Sequence, residues 1–200
     1  MKPYVIVCEG KTDQAFLEKL LIHCQISKEQ IDFYVMGDKS SFFKPENKKY
    51  RELLPKIQAD QVERVLFVID ADCFEKDKKY GGVENTQREL NLIIQKLDIT
   101  SISKVSINGD PKTKIGYLES LILATIPAEQ RVCIEEFLNC SQFQSKENHK
   151  AIVNQIYNIA YPSKPCDFEH QYFNVLKNKL RWLAGQNIHH ILLEFTEFSE

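Results

Sequence analysis

Val65-Leu66-Phe67-Val68-Ile69-Asp70-Ala71-Asp72 is the stretch on which the fold turns. Its first five residues are the most apolar short run in the chain, the pattern of a central parallel strand covered on both faces. Outward from it, strand-like and helix-like segments alternate. Toward the N-terminus, Val5-Ile6-Val7 reads as another buried strand. A helix follows it, with Phe16, Leu17, Leu20 and Leu21 on one face and Thr12 as the expected N-cap. Phe33-Tyr34-Val35-Met36 reads as a strand that stops at Gly37-Asp38, and Tyr50, Leu53, Leu54 and Ile57 then have helical spacing. Toward the C-terminus, Leu90, Ile93, Ile94 and Leu97 mark a helix, and Ile102 to Ile107 gives a weaker fourth strand. Gly116 opens a helix through Leu118, Leu121 and Ile122. This β-α-β-α order predicts an α/β domain over residues 1–125, an open, mostly parallel four-stranded sheet flanked by helices. Beyond Pro127 the pattern is helical: Ile134, Phe137 and Leu138, then Ile152, Val153 and Ile156, then Phe173, Leu176, Leu180 and Leu183. Tyr161-Pro162-Ser163-Lys164-Pro165 breaks two of these segments. Residues 126–200 are therefore expected to form a helical extension packed on the same domain.

Composition narrows the classes of function. Of 200 residues, 43% are hydrophobic and 27% charged, which is the balance of a globular protein. No stretch approaches the roughly 20 apolar residues of a membrane span, and the apolar run near Met1 is too short for a signal peptide. No membrane association and a cytoplasmic location are the expectations. The six cysteines, at positions 8, 24, 73, 133, 140 and 166, form no CxxC pair, so they are expected to be reduced and structural zinc is not expected. A net charge of −2 gives no global field to attract nucleic acid. Phosphate binding would have to come from local clusters or bound cations.

The acids at the strand ends are the chemistry-bearing feature. Glu9 falls at the carboxyl end of the first strand, where open α/β sheets usually place function, Gly10 permits a tight turn, and Asp13 sits in the first helical turn. The plainer alternative is that Glu9 is a solvated loop acid and Asp13 complements the helix dipole. Asp70 and Asp72 end the most apolar strand. On an extended chain alternate residues point the same way, which puts these carboxylates roughly 6.6 Å apart at Cα. Two full charges at about 6 Å repel by roughly 3 kcal/mol at an effective dielectric of 20. Such a pair is stabilised by a cation, or one member titrates; for a cation, hard oxygen ligands select magnesium or manganese. The plainer alternative is that one Asp caps the next helix or turn. Glu119, at the start of the helix after the fourth strand, is either a third contributor at the same edge or an ordinary helix-surface acid.

Taken together, Val5-Ile6-Val7-Cys8-Glu9-Gly10-Lys11-Thr12-Asp13 and Leu66-Phe67-Val68-Ile69-Asp70-Ala71-Asp72 resemble the Toprim domain, with one apolar strand ending in EG and another in DxD. Gly116-Tyr117-Leu118-Glu119 further resembles the Toprim domains of OLD-family nucleases and their small standalone relatives. The resemblance covers roughly residues 1–125 and implies metal-dependent strand cleavage or nucleotidyl transfer with Mg2+ or Mn2+. It implies that Asp70 and Asp72 hold the metal, joined by Glu9, which also serves as general base or acid. Asp13 and Glu119 would complete a second metal position, about 3.5–4 Å from the first. Lys11, Lys112 or Lys114 would supply charge to the transition state. The chain shows no tyrosine-nucleophile domain, zinc module or GxxxxGK[ST] loop, so an OLD-like activity would call for a separate ATPase partner.

Lys44, Lys48, Lys49 and Arg51, interleaved with Phe42, Phe43 and Tyr50, form a candidate nucleic-acid contact in which the aromatics would stack on bases. DNA ranks ahead of RNA as the partner. Lys76, Lys78 and Lys79 are a second basic group beyond the acid pair; for both, a solvated face is the plainer alternative. Adjacent His189 and His190 point apart on a helix, and Trp182 reads as core. Two functions stay open at this point: a metal-dependent nuclease, and a non-catalytic binding or regulatory module of the same fold. Aspartyl-phosphate phosphohydrolases rank lower, because Phe74 stands where their DxD motif usually carries Thr or Val.

Overall fold

The computed structural model describes residues 4–75, 77–141 and 166–186. The expected helix through Ile152, Val153 and Ile156, the break at 161–165, Lys76 and the His189-His190 pair lie outside the described residues. Four strands form one parallel sheet in the order β2-β1-β3-β4. They are β1 (Tyr4–Cys8), β2 (Ile31–Val35), β3 (Arg64–Asp70) and β4 (Ser103–Asn108). The connecting helices are α1 (Lys11–His23), α2 (Lys39–Phe42), α3 (Lys48–Gln58) and α4 (Val83–Lys96). After the sheet come α5 (Leu118–Ala124), α6 (Ala128–Ser141) and α7 (Asn174–Leu183). The α/β architecture read from the sequence is the observed one.

β3 pairs with β1 in parallel, Tyr4 opposite Arg64 and Cys8 opposite Val68, and β1 pairs on its other side with β2. Val65 to Ile69 are almost wholly buried, at about 1.5–3 kcal/mol for each large apolar side chain. Alternation sends Val65, Phe67 and Ile69, with Val5 and Val7, to one face. There they join Tyr50 and Leu53 of α3 and Leu90, Ile93 and Ile94 of α4 in a single apolar cluster. Ile6, Cys8, Leu66 and Val68 face the other way and are just as buried. Leu17, Leu20 and Leu21 of α1 and Leu176, Leu180 and Leu183 of α7 are buried too, and they also lie outside that cluster.

The start of α1 differs from the expectation. Gly10, not Thr12, is the N-cap, and Thr12 lies exposed inside the first turn. Asp13 supplies the side chain that a glycine cap lacks: its Oδ2 accepts the Gly10 N–H at 2.7 Å. All six cysteines are free thiols. Among the described residues no helix is long and apolar enough to cross a membrane.

Contacts gather the chain into two compact units, interleaved in sequence. Of the described residues, the first comprises 4–69, Gln87–Ile107 and 174–186; the second comprises 70–75, 77–86, 108–141 and 166–173. The sheet body and α7 belong to the first. Asp70, Asp72 and Glu119 belong to the second.

Candidate functional site

In the second unit the Asp70-Ala71-Asp72 segment is held by backbone bonds from three directions. The Ala71 N–H donates to the Asn108 carbonyl at 2.7 Å, and the Ala71 carbonyl accepts the Gly82 N–H at 2.8 Å. Asp72 exchanges both backbone bonds with Gly116, at 2.7 and 2.9 Å, as a one-pair antiparallel bridge. That bridge holds Asp72 in the left-handed region, φ 57°, which costs a non-glycine residue about 1 kcal/mol or more. Gly116 has φ 100°, and a Cβ there would collide with the Ser120 hydroxyl, so this side of the bridge requires glycine.

The left-handed turn corrects one step of the sequence argument. β3 ends at Asp70, and the rotation about the N–Cα bond of Asp72 turns its Cβ away from where an extended strand would put it. Strand alternation therefore does not relate the two carboxylates. Asp70 is 7% exposed. Its Oδ1 accepts the Leu118 N–H at 3.0 Å and faces the Asn108 amide nitrogen at 3.5 Å. One oxygen of Asp70 thus serves a helix start, that of α5, and not the next helix in the chain as the plainer alternative had it. The same bond sets the backbone of Glu119, also 7% exposed, beside the Asp70 carboxylate. Asn108 escaped the sequence reading. Its signal was a polar residue closing a strand just before Gly109 and Asp110.

Glu9, Lys11 and Asp13 belong to the first unit. Glu9 follows β1 directly and is half-buried; its Oε2 is a buried oxygen that receives no hydrogen bond, and the residue is engaged through other interactions. The neighbouring Cys8 thiol is pushed up to about 12, by burial first and then by the charges of Asp13, Glu18 and Glu9. Three acids therefore make the end of β1 electronegative, and Glu18 is one the sequence reading passed over. Lys11 is exposed in the first turn of α1.

Elsewhere the basic groups sort themselves. The ammonium groups of Lys48 and Lys49 lie 3.7 and 3.6 Å from the Glu52 carboxylate on the surface of α3. The aromatics interleaved with them do not serve for stacking on bases: Phe42 and Tyr50 are fully buried, and the Tyr50 hydroxyl donates to the Phe42 carbonyl at 2.9 Å. Phe43 packs against the same core. Lys112 and Lys114 are exposed on the turn after β4. Asp110 organises that turn by accepting the Lys112 and Thr113 N–H groups at 2.8 and 3.0 Å. Burial works to raise the Asp110 carboxyl; those two N–H groups and the Arg131 charge outweigh it and hold it below the usual range. Trp182, read as core, is half-buried, with the Arg64 guanidinium 5.7 Å and the Lys104 ammonium 4.6 Å from its ring.

By donor type, hard oxygens that suit a divalent cation are carried by Asp70, Asp72 and Glu119 in the second unit and, separately, by Glu9 and Asp13 in the first, where the Cys8 thiol stays protonated. A cation fits less well by commitment, because Asp70 Oδ1 and Asp13 Oδ2 already serve backbone N–H groups. Among the described residues no three His, Cys, Asp or Glu side chains form a group able to hold a metal ion. No family model, curated protein or solved structure matches this chain.

Proposed function

We propose that this protein carries out metal-dependent phosphoryl transfer on nucleic acid, as a Toprim-type, OLD-like nuclease that hydrolyses phosphodiester bonds, with a separate ATPase as its partner. The observation that supports this best is the Asp70-Ala71-Asp72 segment at the carboxyl end of a buried central strand, fixed by three sets of backbone bonds and including a left-handed aspartate. Such strain persists only where the surroundings enforce it, and it concentrates at functional sites. In this reading Asp70 and Asp72 would hold Mg2+ or Mn2+, Glu9, Asp13 and Glu119 would be further oxygen donors, and Lys11 would supply charge to the transition state. The cation supplies Lewis acidity toward the phosphoryl oxygen. Glu9 moves the proton.

The test is cleavage of labelled single- and double-stranded DNA and RNA with Mg2+ or Mn2+, with and without a candidate ATPase. Asp70→Asn keeps an acceptor for the Leu118 N–H, so it is expected to fold and to lose cleavage by a hundredfold or more. Asp72→Gly removes the carboxylate and relieves the left-handed backbone, so it is expected to melt no lower than wild type yet to be inactive. A wild-type protein inert on every substrate, metal and partner sinks the proposal. One observation favours a second reading, a non-catalytic module: Asp70 spends one oxygen on capping α5. That reading calls for nucleic-acid binding that chelator leaves unchanged.

A further inference from the structure

Phe74 follows Asp72 by two residues and is 48% exposed. It lines a cavity of about 560 Å3 that lies wholly within the second unit, inside the roughly 300–1,000 Å3 range of small-ligand sites. Val83 and Ile115 add apolar wall, while Glu84, Asn85 and Lys114 supply polar and charged groups. The loop carrying Phe74 is braced. The Asp77 N–H donates to the Cys73 carbonyl at 3.1 Å, and the Gly81 N–H to the Asp77 carbonyl at 2.8 Å. A Cβ on Gly81 would lie 2.5 Å from both of those carbonyl oxygens, so the loop closes only over glycine. The opposite wall is fixed as well, since the Val83 N–H donates to the Lys114 carbonyl at 3.3 Å. The cavity is therefore preformed, which lowers the ordering cost of binding.

We propose that this cavity receives one base of a single-stranded nucleic acid, stacked on Phe74, with the adjoining phosphate meeting Lys114. The inference rests on the reading of Asp70 and Asp72 as a phosphoryl-transfer site and adds the subsite that presents the strand to them. A nucleobase matches the lining: a flat apolar face for Phe74, Val83 and Ile115, a polar edge for Asn85 and Glu84, and a neighbouring anion for the lysine. The sequence offered Phe42, Phe43 and Tyr50 as stacking residues; the structure buries those and leaves Phe74 exposed beside the acids.

The experiment uses Phe74→Trp, whose new indole reports stacking through fluorescence quenching, with wild type giving the background of Trp182. The probes are dT12, rU12 and a fully abasic DNA strand of equal length, with EDTA present. Quenching is expected with dT12, rU12 or both, and not with the abasic strand; the two homopolymers decide between DNA and RNA. Phe74→Ala is expected to weaken binding at least tenfold, while Phe74→Trp and Asp70→Asn retain it. Equal binding of abasic and base-bearing strands, undiminished binding by Phe74→Ala, or no binding at all overturns the proposal. The two readings fail separately. Base-dependent quenching without metal-dependent cleavage leaves the subsite standing and removes the nuclease, whereas cleavage indifferent to Phe74→Ala does the reverse.

Discussion

The thiol of Cys8 registers the charge of the acids that surround it. Unfolded, it ionises near 9.0; folded, it does so near 12, because burial and the carboxylates of Asp13, Glu18 and Glu9 all oppose a thiolate. A group whose folded pKa is raised contributes stability that is fully present below its unfolded value and is lost as pH climbs through its folded one. Between pH 9 and 12 the thiol should cost the folded state up to about 4 kcal/mol. Urea midpoints measured across that window are expected to fall more steeply for wild type than for Cys8→Ala, and equal slopes would contradict the burial and charge assigned here. At this scale the sequence was informative about residue type and place. Glu9 after the first strand and Asp70 at the end of the third stand where the apolar runs put them. The left-handed backbone of Asp72 was not legible, because it is set by the bridge to Gly116, a partner 44 residues away. Nor was the exposure of Phe74, which depends on how the loop closes at Gly81.

At the scale of elements, the end of α7 shows how one side chain ties a helix to the sheet. Arg64, the first residue of β3, donates from its guanidinium to the Trp182 carbonyl at 2.7 Å, satisfying a terminal carbonyl of the helix and opposing its dipole. Gly185 follows with φ 70°, and its position lies so near the guanidinium that a Cβ would come within 3.0 Å. Lys104 lies over the Trp182 ring, and the neighbouring Lys179 is held below the ordinary lysine range by burial and then by the Lys104 charge. Arg64→Ala is expected to destabilise the fold by about 1–3 kcal/mol, a loss a thermal melt can read, and Arg64→Lys should recover part of it. An unchanged melting temperature in Arg64→Ala would show that α7 is held by apolar packing alone. Element identity was largely legible, since β1, β2, β3, α1, α3 and α4 follow directly from apolar spacing. What periodicity concealed was the cap of α1. Gly10 has no side chain to announce it, and Asp13 does the capping from within the helix.

For the whole molecule, the two units share the chain in alternation, which crosses between them after Ile69, Thr86, Ile107 and Phe173. A boundary at residue 125, natural on the sequence pattern, would sever α7 from the unit that holds the sheet. A chain ending at residue 125 lacks Leu176, Leu180 and Leu183, which are buried in the whole protein, and is expected to expose the apolar surface they cover. It should bind a hydrophobic dye and lack a cooperative melt, whereas a sharp transition at the full-length temperature would show α7 to be dispensable. The register of β1 carries one more consequence, for the order of assembly. Tyr4 and Arg64 are partners although sixty residues separate them, and parallel neighbours cannot meet through a hairpin. At about 5–20 residues per second of synthesis, the Val5-Ile6-Val7 segment waits several seconds on the ribosome before its partner on β3 exists. During that interval β1 has only β2 to pair with, and its other edge is an open apolar edge of the kind that a chaperone shields.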